Sequence, residues 1–405
     1  MGTRWNWWRG RPADVLALAL ALVLALAGTG CTGPARSGAP SPVGPSPVGA
    51  SPVAAPRWRP VPLPAKAAGT VVLRDLAGCP GRWYAAGGYT GAAGATSPQL
   101  WTSTDGTGWT ALSGTPVSAY GPAHLLQQVA CRGDGVAALG ATSGGVHGNP
   151  RVGTWFGPPA GPLVEVPSGL DLYGGPEAIG TGRIAAGPAG WVIEGAWRDA
   201  NGAAGVAVWT APDGRTFQRV DADPELESDR RGQSAAQDVT ATGSGYLLVG
   251  SLAPPGSRTS ARVPLAWTST DGRSWHREAV PGSGVDEELQ RVTALGTGLL
   301  AVGLSGRGFG AWLRTGAGWR RLGGFGAVAG TGLPRVTGLA TDGTRILATV
   351  ADGTRFQAWA SRDGVSWSTV DIPVPVPATG QHLVTVTGGP HALLLADDGR
   401  LYASD

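Results

Sequence analysis

One acidic residue is unusual because it lies inside an apolar segment. Glu194 follows Trp191-Val192-Ile193 and precedes Gly195. A carboxyl group withdrawn from water has a raised pKa and can act as a general acid or base. Glycoside hydrolysis uses such a group together with a second carboxyl group nearby. The alternative is a structural role for Glu194 as a paired or channel-lining residue, which is the commoner role of a lone carboxylate on a strand.

The other residue types that often carry chemistry are not arranged as known catalytic or metal sites. The histidines lack the spacing of a zinc site, and the chain has no Gly-x-Ser-x-Gly motif of a serine hydrolase. We therefore predict no catalytic residue set, no metal and no cofactor. The five histidines are His124, His147, His276, His382 and His391.

A short acidic segment and the overall charge limit the possible ligands. Asp221, Asp223, Glu225, Glu227 and Asp229 occupy alternate positions, an arrangement that can supply oxygen ligands to calcium or form a solvated loop. The formal net charge is +3, and the basic residues form no stripe. We therefore predict no nucleic-acid partner.

The elements that must position these residues follow from a repeated, tryptophan-led motif. The pattern Trp-Thr-Ser-x-Asp-Gly-x-x-Trp begins at Trp101 and returns at Trp267. Its first tryptophan recurs at 101, 155, 209, 267, 312 and 359, at intervals of 45 to 58 residues. That period is typical of propeller blades. The clearest repeat residues are Trp101, Asp105, Gly106, Trp109, Trp209, Asp213, Gly214, Trp267, Asp271, Gly272, Trp275, Trp359, Asp363, Gly364 and Trp367.

The sequence of each repeat predicts four strands, which we call A to D. The Asp-Gly pair supplies the positive φ of a tight turn between strands C and D, and short apolar runs upstream form A and B. The last repeat ends after strand C, whereas residues 58–63 resemble strand D of other repeats. We therefore predict an all-β, seven-bladed propeller of four-stranded antiparallel blades over residues 57–405. The N-terminal strand completes the last blade and closes the ring.

Two cysteines lie at matching places in the first two repeats. Cys79 and Cys131 each follow strand A and precede a turn. Adjacent blades place such turns close together, so a disulfide is predicted, and two buried free thiols are the alternative.

The N-terminus has the layout of an export signal. Arg4, Arg9 and Arg11 form a basic region, and residues 15–27 form an apolar run that is short for a membrane span. Residues 1–30 are therefore predicted to be a signal peptide. Residues 31–56 are rich in Pro and Ser and are predicted to be an extended tether.

The segment Ala27-Gly28-Thr29-Gly30-Cys31 resembles the lipobox of bacterial lipoproteins. The resemblance implies cleavage before Cys31 and attachment of lipid, such as palmitate, to its thiol. The protein would then be exported and anchored in the cell membrane, facing outward. An ordinary signal peptide with an incidental cysteine is the alternative.

The Ser-x-Asp-Gly-x-x-Trp hairpins resemble the Asp-box, or BNR, repeats of sialidase-like propellers, with one residue fewer between Asp and Gly. The Asp-box marks the fold and carries no chemistry. Sialidases also require three arginines, a Tyr–Glu pair and an aspartate acid. Gly182-Arg183-Ile184 is the nearest match to their first arginine motif, and it falls in the third repeat.

These features favour a non-enzymatic binding scaffold for a glycan, a peptide or a protein. The alternatives are a diverged sialidase-like glycosidase and a membrane-side assembly factor. Function in propellers lies on face loops and at the channel mouth. The binding rim is predicted from the long loops between strands B and C, which cover residues 89–99, 143–151, 197–205 and 253–263.

Overall fold

The computed structural model describes residues 53–66, 69–144, 150–220, 223–256, 261–389 and 392–405. The first strands are β1 Trp58–Val61, β2 Thr70–Cys79, β3 Arg82–Thr90, β4 Thr96–Ser103, β5 Thr110–Leu112, β6 Gly114–Thr115, β7 Leu125–Arg132, β8 Gly135–Ser143, β9 Pro150–Gly157, β10 Leu163–Val166, β11 Ala178–Gly187, β12 Gly190–Arg198, β13 Ala204–Ala211 and β14 Gln218–Arg219. The remaining strands are β15 Gln233–Thr242, β16 Gly245–Ala253, β17 Val263–Ser269, β18 His276–Ala279, β19 Glu287–Leu295, β20 Gly298–Ser305, β21 Gly308–Thr315, β22 Gly318–Phe325, β23 Arg335–Thr341, β24 Ile346–Ala351, β25 Phe356–Ser361, β26 Ser368–Val370, β27 Val384–Gly389, β28 Ala392–Asp397 and β29 Arg400–Ser404.

Helical structure in the described ranges is confined to single turns. These are α1 Leu170–Tyr173 and the 3-10 turns Ala92–Gly94 and Gly121–Ala123. Within those ranges, no helix has the length and apolar character of a membrane span.

The strands form seven separate sheets arranged in a ring, which confirms the predicted seven-bladed propeller. Blades 1 to 6 begin with the innermost strands β2, β7, β11, β15, β19 and β23, and blade 7 begins with β27. Each innermost strand packs against that of the next blade, and β2 meets β27 to close the circle. In blade 2, β6 adds a fifth strand that runs parallel to β10.

Ring closure occurs as predicted, because the first strand of the propeller completes the last blade. Trp58 pairs with Ser404 and Val61 with Leu401 in an antiparallel register. The Trp58 indole donates a 3.2 Å hydrogen bond to the Asp371 carbonyl. Pairing the two ends of the chain leaves no open edge on β29.

The hydrophobic core lies between neighbouring blades. One cluster combines Val192 and Val208 of blade 3 with Leu248 and Trp267 of blade 4. Each sheet therefore buries both faces, which explains why the strands read as continuous apolar runs. Five of the tryptophans that lead strand C are fully buried, namely Trp101, Trp155, Trp209, Trp267 and Trp312.

These tryptophans also hold the connections that run from one blade to the next. In blade 3, the Trp209 indole N–H donates to the carbonyl of Leu172 in the incoming connection, at 2.7 Å. Trp101, Trp267 and Trp312 donate in the same way to the carbonyls of Pro64, Glu225 and Pro281. The acceptor in blade 2 is the imidazole Nδ1 of His124, and in blade 6 it is the Gln357 side chain. The repeated tryptophan thus fixes the segments that cross the face of the propeller.

Candidate functional site

The hairpins of the repeat stabilise their own turns. Gly106, Gly214, Gly272 and Gly364 have φ between 71° and 78°, a range that favours glycine. In blade 4, Asp271 Oδ1 accepts the backbone N–H groups of Arg273 and Ser274 at 2.8 and 2.9 Å. Hydrogen bonds to the charged form hold the pKa of Asp105, in the equivalent hairpin of blade 1, well below its usual value. The Asp residues of these turns are occupied by the backbone, so they serve the fold.

A disulfide joins Cys79 and Cys131 and links blade 1 to blade 2, as predicted. It spans 52 positions of sequence. Both cysteines pack at the margin of the cluster that contains Tyr84 and Trp155. The bond therefore ties together two blades that already share a core.

The central channel contains a buried ring of opposite charges. Asp75, Arg183, Asp238 and Arg291 lie at or next to β-bulges on the innermost strands of blades 1, 3, 4 and 5. Arg183 Nη1 lies 3.0 Å from Asp75 Oδ1, and Arg183 Nε lies 3.5 Å from Asp238 Oδ1. Blades 1 and 3 are not neighbours, so the Asp75–Arg183 pair crosses the channel. A buried charge without a partner is strongly destabilising, so each side chain of this pair requires the other.

The same carboxylates also connect consecutive blades. Asp75 Oδ2 accepts the N–H of Val129 in blade 2, and Asp238 Oδ2 accepts the N–H of Val292 in blade 5, each at 3.0 Å. Burial and the charge of Arg183 lower the pKa of Arg291 to about 10. The charged side chains of the channel therefore link blades 1 to 5 to one another.

Glu194 lies beside this ring on β12, the second strand of blade 3. Its Oε1 accepts the backbone N–H of Arg183 at 2.7 Å, and the side chain is 3% exposed. Burial raises the pKa of Glu194 to about 7, although that hydrogen bond opposes the shift. The sequence singled out Glu194, which lies at the channel, but it did not identify Asp75, Asp238 or Arg291 as its neighbours. These residues lie on strands that carry several polar side chains, such as β15 and β19, so no single one of them stood out in the sequence.

The acidic loop, residues 223–229, binds the outer strand of blade 4. Asp223 Oδ2 accepts the N–H of Trp275, and Glu225 Oε2 accepts the N–H of Arg277, at 3.0 and 3.1 Å. The Arg277 guanidinium donates to the carbonyls of Glu225 and Glu227. Among the residues that the structure describes, no group of three or more His, Cys, Asp or Glu side chains forms a metal site. Asp221, the first residue of the acidic segment, lies outside the described residues.

Two of the four loops predicted to form the binding rim are shorter than predicted, whereas the other two lie between β8 and β9 and between β16 and β17 as predicted. Strands β3 and β4 extend to Thr90 and from Thr96, so the loop between them is shorter than residues 89–99. The loop between β12 and β13 is shorter for the same reason. The connections from strand D to the next strand A, such as residues 167–177, lie at the same face. Sequence reasoning missed them because their ends depend on where strand D stops.

One connection shields a buried His–Glu pair in blade 2. Glu165 Oε2 accepts the N–H groups of Val117 and Ser118 at 2.6 and 2.8 Å, and its Oε1 accepts the Ser118 hydroxyl. Burial lowers the pKa of His124, although Glu165, 3.9 Å away, opposes the shift. The neutral imidazole thus accepts the Trp155 N–H where other blades offer a carbonyl.

An open groove lies between blades 2 and 3. Its volume is about 700 Å³, and we call it the blade 2–3 groove. Arg215 and Arg219 line one wall, and Asp171 lines the other. The Arg215 guanidinium lies 4.3 Å from the centre of the Phe156 ring. The full lining is Thr154, Val166, Pro167, Ser168, Gly169, Asp171, Leu172, Arg215, Thr216, Phe217, Gln218 and Arg219.

Comparison with known proteins yields structural likenesses only. No family model matches the chain, and no curated protein matches it. A structure described as YCF48 bound to D1 peptide shares 14% identity, with a TM-score of 0.48, over 87% of this chain and 96% of that one. The Cps50 (Swd1) β-propeller domain of Myceliophteria thermophila shares 10% identity, with a TM-score of 0.48, over 86% and 99%. The fucose-specific lectin of Aleuria aurantia shares 13%, with a TM-score of 0.42, over 66% and 85%. At such identities these likenesses assign no ligand or activity, and the fold assignment rests on the sheet topology of the chain itself.

Proposed function

We propose that this protein is an exported, lipid-anchored β-propeller that binds a protein partner and acts as a scaffold at the cell surface. The observation that carries the proposal is the blade 2–3 groove, which is large enough for a segment of another protein and lies away from the charge-matched channel. The export signal and the resemblance around Cys31 support the cellular location; Cys31 lies outside the described residues. Three exposed apolar side chains, Val117, Val164 and Leu170, lie on blade 2 or its flanking connections and support a contact surface there.

The experiment uses the full chain expressed in a bacterial host. Alkyne-labelled palmitate should label the wild type but not Cys31→Ala, which should leave the membrane fraction. Surface crosslinking should capture a partner with the wild type, and Gln218→Trp, which fills the groove, should lose it. His276→Trp is the matched control, because His276 is the equivalent exposed residue of blade 4. Capture that is unaffected by Gln218→Trp would refute the groove as the binding surface.

The channel supports a second candidate, a diverged glycosidase. Glu194 has a pKa of about 7, and arginines and further carboxyl groups lie nearby. The carboxylates are bonded to backbone N–H groups and to Arg183, so catalysis would require these bonds to break. Turnover of a fluorogenic glycoside that is lost in Glu194→Gln would establish this candidate, and turnover unchanged by that substitution would refute it.

A further inference from the structure

Two neighbouring grooves of the propeller are built alike, but only one is filled by the chain itself. Blades 3 and 4 carry the same hairpin, so Arg215, Phe217 and Arg219 correspond to Arg273, Trp275 and Arg277. In each blade the leading tryptophan binds a carbonyl of the incoming connection, Leu172 in blade 3 and Glu225 in blade 4. The two connections can therefore be compared residue by residue from that point.

The connection that enters blade 4 covers the outer strand. Asp223, two residues before the bound carbonyl, accepts the backbone N–H of Trp275. Leu226 follows that carbonyl and is 2% exposed, packed in the core cluster of Trp267. Arg277 is enclosed by the Glu225 and Glu227 carbonyls and by Asp229, which leaves its side chain 7% exposed. An acidic, extended segment with one leucine thus fills this position.

The connection that enters blade 3 turns away from the equivalent strand. Leu170, two residues before the bound carbonyl, is 72% exposed. Tyr173, which follows that carbonyl, is 6% exposed and packs against Trp209, so it fills the place of Leu226. Neither Tyr173 nor Gly174 brings a carboxylate. The blade 2–3 groove borders residues Arg215 to Arg219 of this hairpin, and Asp171 is the sole carboxylate among its described lining residues.

We propose that the blade 2–3 groove binds an acidic, extended peptide segment of a partner protein, similar in charge to the segment 223–229 that covers the outer strand of blade 4. The guanidinium of Arg219 lies against the ring of Trp197. Arg215 gives the groove wall a positive charge, and its guanidinium rests on the ring of Phe156. Guanidinium groups held against aromatic rings lose little freedom when they bind a carboxylate. The inference rests on the proposed scaffold function and names the chemistry of its ligand.

The test uses the full chain and a fluorescent heptapeptide that copies residues 223–229, Asp-Pro-Glu-Leu-Glu-Ser-Asp. Anisotropy should show saturable binding that weakens as salt rises, since the attraction is electrostatic. Arg215→Glu should weaken binding by about tenfold or more, because reversal of one charge replaces attraction with repulsion. Arg273→Glu, at the equivalent exposed site of blade 4, should leave binding unchanged.

Three results would overturn the inference: no binding of the heptapeptide, equal binding by Arg215→Glu, or equal binding of the neutral peptide Asn-Pro-Gln-Leu-Gln-Ser-Asn. None of these results tests the scaffold function, which the crosslinking experiment with Gln218→Trp tests separately. If surface capture still depends on Gln218, the groove binds a partner of different chemistry. If the heptapeptide binds but no partner is captured, the scaffold function is refuted, whereas binding of acidic peptides by the groove is confirmed.

Discussion

The Glu194 carboxyl group lies directly against Gly182 in the channel wall. A Cβ atom on Gly182 would overlap the Glu194 carboxyl group, so glycine is required there for steric reasons. The carboxyl group in turn accepts the N–H of Arg183, which the β-bulge leaves outside the strand ladder. Glu194 therefore accepts the backbone N–H that the bulge leaves unpaired, and its carboxyl group is buried as a result.

This burial makes the stability of the protein depend on pH. The pKa of Glu194 is about 7 in the folded protein and 4.5 when unperturbed, so the folded state holds this proton more tightly. The stabilising contribution of the proton is complete below pH 4.5 and is lost as the pH rises towards 7. Glu194→Gln keeps the acceptor and cannot ionise. Its free energy of unfolding, relative to wild type, should increase by about 3 kcal/mol between pH 4.5 and 8.

Urea denaturation of both proteins at several pH values measures this difference. Other groups titrate equally in the two proteins, so their effects cancel. A difference that stays constant over the whole pH range would show that folding does not shift the pKa of Glu194.

At the scale of elements, the leading tryptophan of each of blades 1 to 5 does two tasks. Its ring fills the core between blades, and its N–H fixes the connection that arrives from the preceding blade. A buried carbonyl without a donor is costly, so the position of the connection follows from the position of the tryptophan. This link explains why segments of unrelated sequence pass the same point beside the leading tryptophan, whatever path they take on either side of it.

Trp209→Phe should separate these two tasks. It retains an aromatic ring but leaves the Leu172 carbonyl without its donor, which should destabilise the protein by about 2 kcal/mol. Hydrogen exchange of residues 167–177 should become faster. Trp359→Phe is the control, since the Trp359 N–H binds Gln357 on its own strand and holds no connection. Equal exchange of residues 167–177 in Trp209→Phe and wild type would refute the role of the indole.

At the scale of the whole molecule, the ring depends on a strand from the opposite end of the chain. Val61 is 8% exposed and packs with Leu73 and Leu401, so β1 joins blade 7 to blade 1 as well as completing blade 7. The cost of bringing the two ends together grows only slowly with chain length. Closure therefore removes an exposed sheet edge at a modest entropic cost.

Deletion of residues 53–66 should open the ring. Loss of buried apolar surface from Trp58, Val61 and Leu63 should cost about 4 kcal/mol or more, and β29 would become an open edge. We expect a lower thermal midpoint and association of the opened protein, measured by calorimetry and light scattering. Deletion of the same number of residues from the predicted tether, residues 36–49, should leave the midpoint unchanged. A midpoint that is insensitive to loss of β1 would contradict the closure.

Much of the architecture was predictable because its causes are local. The Asp-Gly pairs determine the hairpin turns, and the six leading tryptophans, together with the last repeat at Leu401, predict seven blades. The pairing of β1 with β29 could be inferred because the last repeat lacks its fourth strand. The Cys79–Cys131 bond followed from the matching positions of two adjacent repeats.

The sequence by itself therefore determined the blades, their turns and the closure of the ring, since each depends on residues within one repeat or on a missing strand. Tertiary structure alone decided which residues meet in the channel and which groove stays open. Arg183 and Asp75 are 108 positions apart and meet because the ring brings blades 1 and 3 to a common centre. The groove depends on the direction in which residues 167–177 leave Leu172, and packing against blade 3 sets that direction.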